Sequence, residues 1–274
     1  MIRKAFTFLA LFLLLLSALP VTVQAQFTYT NINGSITITK YTGTNKVVVI
    51  PATITGRPVT AIGYAAFIYN TNVTSVTATN NVTNIVDLAF YGCTSLTNIT
   101  LGTNVVSLGS YVFERCYKLP DIWIPDSVTY IGEGVFSECT NLPEISVSSN
   151  NPVYCSVGGV LFDKGQTVLI ECPAGKPGSF SIPNSVTSIW YAAFADCARL
   201  TNVTIPNSVT DIGLYSFLDC SSLAEITIPD SVTSIGEWDF ARCSSLSRVT
   251  FGSNVTYIGD YAFQDCGRLV NLVT

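Results

Sequence analysis

Apolar residues return along this chain with a fixed spacing of 23 residues. Each unit reads Val-x-x-Ile, then Phe-x-x-Cys-x-x-Leu, then an Ile-x-Ile alternation. The middle phrase occurs seven times. Phe90/Cys93/Leu96, Phe113/Cys116/Leu119 and Phe136/Cys139/Leu142 come first. After a gap follow Phe194/Cys197/Leu200, Phe217/Cys220/Leu223, Phe240/Cys243/Leu246 and Phe263/Cys266/Leu269. An eighth unit opens the series with Asn70 at the cysteine position. Eleven residues before that position every unit has Val, from Val59 to Val255; eight before it stands Ile or Leu, from Ile62 to Ile258. Seven before it is usually Gly, with Val86 and Trp190 the exceptions. Such a period is the mark of a solenoid in which each turn packs only on its neighbours.

The stretch Leu-x-x-Ile-x-Ile ends in period-two alternation and predicts one short strand per turn. Stacked strands form a parallel sheet. Pro125, Pro206 and Pro229 follow the strand, where a missing N–H costs least. Ser-Val-Thr-x-Ile-Gly predicts a second extended segment, its Gly turning the corner. Gly-x-x-Ala-Phe, as at 259–263, is too short for a regular helix. It is read as one helical or 3₁₀ turn on the convex side, its Phe pointing into the core. The fold class is therefore a β-rich repeat solenoid of the leucine-rich repeat kind. Eight turns about 4.8 Å apart give a rod roughly 40 Å long.

The expected organisation has five parts. Residues 1–25 combine Arg3 and Lys4, an apolar run and the small-residue site Val23-Gln24-Ala25, the pattern of a secretory signal peptide. Residues 26–58 form a β cap. There Asn33-Gly34 between alternating runs signals a hairpin, and 47–50 reads as a strand. Turns 1–4 occupy 59–147. An insertion at 148–180 carries a hairpin, 160–162 with 167–170. Turns 5–8 occupy 181–274 with no C-terminal cap, so edge-to-edge self-association through that end is an expectation.

The phrase at 228–246, Ile-Pro-Asp-Ser-Val-Thr-Ser-Ile-Gly-Glu-Trp-Asp-Phe-Ala-Arg-Cys-Ser-Ser-Leu, resembles the BspA-type leucine-rich repeat family. So do Asn-Asn-Pro-Val-Tyr (150–154), Gly-Gly-Val-Leu-Phe-Asp-Lys (158–164) and Leu-Ile-Glu-Cys-Pro-Ala-Gly-Lys (169–176), which are similar to the atypical turn that interrupts many such arrays. The resemblance covers 47–274. It implies a curved solenoid on a bacterial surface or in secretions, in a family that includes adhesins. It implies no particular ligand.

Composition narrows the partners. Without Arg3 and Lys4 the chain has 11 basic and 18 acidic residues, a net charge of −7. An acidic chain with no basic cluster argues against nucleic acid and anionic membranes. No segment after the leader is apolar for long enough to span a bilayer, so no membrane insertion is expected after cleavage. Secretion or display at the cell surface follows, with the periplasm as an alternative. Seven of nine cysteines share one repeat position between a core Phe and a core Leu, which predicts a stack of buried free thiols. Disulfides between adjacent turns, and between Cys155 and Cys172, remain alternatives at this stage.

The chain contains no histidine, which removes Ser-His-Asp and Cys-His arrangements and most zinc sites. No C-x-x-C pair or phosphate loop is present, so no cofactor or metal is expected. The recurrent carboxylates read as solvated repeat positions. Paired carboxylates of a glycoside hydrolase are the remote alternative, and the protein is not expected to be an enzyme.

Between the core positions of each strand, residues face outward. That puts Asp121, Trp123, Glu144, Glu225 and Arg248 on the sheet face as candidate partner-binding residues. Trp123 stands out because its equivalents are Thr or Ser; it either anchors a partner or packs under the insertion. Tyr215, Trp238 and Tyr261 form a second stripe at one repeat position on the opposite side. The leading expectation is adhesion to, or capture of, an extracellular protein or polysaccharide. The rival is a structural envelope component that assembles with itself.

Overall fold

The computed structural model describes residues 26–273. The predicted signal peptide lies outside the described residues. The rest is a β-solenoid whose turns carry two short strands each. One ladder runs in parallel through Val47–Val49, Ser75–Thr77 and Asn98–Thr100, then Trp123–Ile124 with Ser146–Val147. It continues in Gly178–Ser181 with Leu200–Thr204 and ends in Glu225–Thr227, Arg248–Thr250 and Asn271–Val273. The second ladder starts at Ser35–Tyr41 and Arg57–Ile62 and passes through Asn84–Ile85, Ser107–Leu108 and Tyr130–Ile131. It resumes in Val168–Glu171, Ser188–Ile189 and Asp211–Ile212, then Ser234–Ile235 with Tyr257–Ile258.

Among the described residues each ladder therefore has ten strands, two more than the eight repeats. One extra turn precedes the array: Ser35–Tyr41 and Val47–Val49 supply its strands, and Tyr41 fills the Phe slot, stacked 5.0 Å from Phe67. The hairpin ahead of it, Phe27–Ile32 against Ser35–Tyr41, turns on Asn33 and Gly34 at φ 49° and 87°. Positive φ at both central residues suits the right-handed twist of the flanking strands. The other extra turn hides inside the insertion. Val168–Glu171 and Gly178–Ser181 are its two strands, and Cys172 takes the Phe slot, its N–H donating to Ala193 O as Phe194 N–H donates to Ser216 O one turn on.

The expected insertion hairpin is Val160–Asp163 paired with Val168–Glu171, and a further strand, Tyr154–Val157, pairs with Val160–Asp163. Asn151 staples this meander to the array. Fully buried, it donates to Pro125 O and Val128 O at 2.8 and 2.9 Å and accepts from the N–H groups of Val153 and Tyr154. A buried amide with all these partners fixes one entry path.

The core is a file of stacked rings. Phe67, Phe90, Phe113 and Phe136 follow one another at 4.8, 5.5 and 5.8 Å. Phe194, Phe217, Phe240 and Phe263 form a second file at 4.8, 5.0 and 5.4 Å. The files break at Cys172, and two hydrophobic clusters meet there.

All nine cysteines are free, so neither disulfide alternative is present. Six of the seven repeat thiols donate to the carbonyl of the Phe one turn earlier, as Cys116 to Phe90 O at 3.4 Å and Cys220 to Phe194 O at 3.1 Å, and Cys197 donates to the carbonyl of Cys172, which stands in the Phe slot. Cysteine is thus small enough for the slot and supplies a weak donor to a buried carbonyl. Burial pushes the Cys93 thiol up to about 12, so it stays protonated and inert.

Two local readings are corrected. The link around each Phe is not helical: it is a run of turns with a left-handed residue two before and two after the Phe, as Tyr215 and Asp219 at φ 62° and 58°. The sequence signal fails because these positions are seldom Gly. The recurrent Gly seven before the cysteine does not turn a corner. Its φ is ordinary, but a Cβ on Gly132 would lie 2.5 Å from Ser110 N in the preceding turn. Close backbone approach, not φ, selects it.

Candidate functional site

On the sheet face Trp123 is 57 % exposed, in register beside Ser146. The insertion does not cover it. Asp121 and Glu144 are exposed on the same and the following turn. Glu144 lies against the tip of the meander, where a Cβ on Gly159 would fall 2.6 Å from its own. Glu225 and Arg248 are direct cross-strand partners and form an ion pair. Both are half exposed, so the pair adds little stability; they are separated from Trp123 by the strands of turn 4, the short turn and turn 5.

The face also carries residues that the repeat alignment left out. Val47 and Val49 are 63 % and 54 % exposed, in register with Ser75 and Thr77. They flank a hollow of about 330 Å³ lined by Ile50, Pro51 and Thr79. Their run of alternating exposure shows them as strand residues, but only the cap turn puts them on this face.

Tyr215, Trp238 and Tyr261 lie on the linking side, all at left-handed φ near 60°. Trp238 and Tyr261 stack at 4.8 Å, whereas Tyr215 meets Tyr191 edge-on at 5.5 Å. Tyr215 and Trp238 are half-buried and Tyr261 is exposed. The two sets of candidate residues thus belong to separate surfaces.

The linking side also has a notch that the sequence did not reveal. From Leu169 to Ser179, the short turn is three residues shorter than the matching stretch of a regular repeat, Ile189 to Asn202. It lacks most of a link. The missing carbonyl beneath Phe136 is replaced by a side chain: Glu171 Oε1 accepts the Phe136 N–H at 2.8 Å. Burial pushes the Glu171 carboxyl up to about 8, against the hydrogen bonds it receives.

Above Glu171 a space of about 580 Å³ opens between turns 4 and 5, with Tyr111, Glu114, Glu138, Tyr191 and Asp196 among its walls. Arg115 pairs with Glu138 at 2.8 Å and Arg242 with Asp219 at 2.5 Å. Burial, then Glu138, raises Glu114 to about 7; the same causes raise Asp196 to about 6. Among the described residues, no group of three or more side chains is placed to hold a metal ion, and no helix is long and apolar enough to cross a membrane.

A parallel, 23-residue solenoid with a Phe file, an apolar Leu and a short strand per turn defines a leucine-rich repeat protein. The BspA type leucine rich repeat region matches residues 60–160 and 176–274 in six copies. The chain belongs to that family. A leucine-rich repeat protein from Eubacterium ventriosum is similar in structure, with 27% identity, a TM-score of 0.73, and 92% of this chain and 77% of that chain covered. The pneumococcal vaccine antigen PcpA shares the fold, at 21% identity, a TM-score of 0.66, and coverage of 90% and 79%. No curated protein matches the chain.

Proposed function

We propose that the protein is exported and binds an extracellular protein or polysaccharide through the sheet face around Trp123. The observation that carries this reading is Trp123 itself. A large amphipathic ring stands 57 % exposed in a file whose other members in turns 1 to 7 are Thr or Ser. Rigid aromatic rings ringed by small polar groups are the usual anchors of binding surfaces. Asp121 and Glu144 beside it supply hydrogen-bond acceptors, and Val47 with Val49 adds a second apolar contact along the same face. The leader pattern at 1–25 supports export. Membership of a leucine-rich repeat family supports a scaffold that acts by binding rather than by catalysis.

The test is a binding screen against immobilised matrix proteins and polysaccharides, with Trp123→Ala alongside. Saturable binding that the variant loses supports the sheet face. Retained affinity in the variant moves the site elsewhere. Concentration-dependent polymers with no ligand binding support the structural rival.

A further inference from the structure

The notch on the linking side is a gap in a hydrogen-bond ladder. In a regular link, six backbone groups bond across turns, two at the Phe position (Val112 O with Phe90 N–H, Phe113 N–H with Val135 O) and four that flank it. Turn 3 shows the scheme: Ser110 O accepts from Leu88 N–H, Tyr111 N–H donates to Glu133 O, Glu114 O accepts from Gly92 N–H, and Arg115 N–H donates to Ser137 O. The short turn cannot repeat it. On turn 4, Gly134 N–H and Glu138 N–H occupy the donor positions and have no acceptor among the described residues. On turn 5, Tyr191 O and Ala195 O occupy the acceptor positions and have no donor among them. One wall thus presents donors four residues apart and the other presents acceptors at the same spacing. Turns 4 and 5 are two ladder steps apart, about 9.6 Å, which leaves room for one backbone. The Glu171 side chain closes the bottom of the gap, Tyr111 packs beside Gly134, and the rest of the outer part is open among the described residues.

Charge gives a second constraint. Glu138 and Asp219 each have an arginine partner. Glu114 only shares Arg115, at 3.9 Å, and Asp196 has no cation within ion-pair distance among the described residues. The notch therefore carries two surplus carboxylates beside the unpaired backbone groups. Tyr111 and Tyr191 also line the notch.

We propose that this notch receives a short polypeptide segment of a partner protein, whose backbone completes the missing rung and whose Lys or Arg sits between Glu114 and Asp196. The mode is strand addition, in which main-chain bonds give affinity and one side-chain pocket gives specificity. A saccharide has hydroxyls for the carboxylates but no run of amides and carbonyls at the spacing of the two walls. An acidic peptide would meet the surplus charge. About six residues suffice, since the regular link spans six from Ser110 to Arg115. The surface is distinct from the Trp123 face, so a peptide in the notch leaves that face free.

The probe is a fluorescein-labelled hexapeptide pool, random except for a fixed Lys or Arg, with an identical pool fixed as Glu for comparison. Polarisation is read on the full chain, and amide exchange is read at Gly134 and Glu138. The proposal expects the basic pool to bind and the acidic pool not to. It expects slower exchange at those two amides in the bound state. Asp196→Lys should weaken binding at least about tenfold, and Trp123→Ala should leave it unchanged. Equal binding of the two pools, no binding of the basic pool at millimolar concentration, or binding without protection of Gly134 and Glu138 would overturn it. The exchange readout uses the unaltered protein, so it decides even where Asp196→Lys fails to fold.

Discussion

Replacing Glu171 with Gln should flatten the pH dependence of stability. The folded chain keeps the Glu171 proton up to about pH 8, because burial disfavours the carboxylate, while the unfolded chain releases it near 4.5. Between those values the unfolded state binds fewer protons, so stability falls as pH rises. The contribution is complete below the unfolded value and is lost through the folded one. One such group changes unfolding free energy by about 1.4 kcal/mol per pH unit, or about 4 to 5 kcal/mol across the whole window. Glu114, Asp196 and Asp239, raised to about 7, 6 and 7, tilt the curve the same way. Gln cannot ionise, and its carbonyl still accepts the Phe136 N–H. Urea unfolding of both proteins, followed by circular dichroism and by tryptophan fluorescence, should be run from pH 5 to pH 8. Glu171→Gln should lie within about 1 kcal/mol of the parent at pH 5 and be more stable at pH 8, by up to that 4 to 5 kcal/mol. Parallel curves for the two proteins, or a variant destabilised at pH 8, would refute the reasoning.

Gly132→Ala should destabilise the array by about 2 kcal/mol or more, because its Cβ meets Ser110 N of the preceding turn rather than a movable side chain; unchanged urea midpoints would contradict this. Asn151→Ala removes an amide that serves four backbone groups, two of them buried, and should cost about 3 kcal/mol, read as a lower thermal midpoint and as faster proteolysis of the 154–171 meander. Thiol titration in denaturant without reductant should return nine free thiols, and in native buffer far fewer should react, since seven of the nine are buried. A count of seven in denaturant would place a disulfide where the structure has none.

The parts of the fold that repeat were legible because the repeat is itself a packing rule. A Phe at one position stacks on the Phe of the next turn, and the Cys three residues later donates to the carbonyl of the Phe one turn back, so period and core coincide. The strands of both ladders follow from Val, Ile and Leu at fixed offsets. What the sequence hid are the places where one residue type replaces another's role. Cys172 stands where a Phe would reveal a turn, and Glu171 uses a side chain where its neighbours use a carbonyl. Tyr41 does the same for the cap turn. The links misled for a different reason: Tyr215, Trp238 and Tyr261 take left-handed conformations usually reserved for Gly, so local propensity pointed to a helical turn. Of the candidate residues, the exposed position of Trp123 could be read from alternation alone. The notch could not, because it exists only through atoms that a regular turn would have supplied.

The sheet face is proposed to bind a macromolecular ligand through Trp123. The most direct test is the affinity of the parent chain and of Trp123→Ala for the best ligand of the matrix-protein and polysaccharide screen, with folding monitored by circular dichroism. Saturable binding by the parent and a loss of at least about tenfold in the variant are expected, with the fold intact. Equal affinity of the two proteins would contradict it.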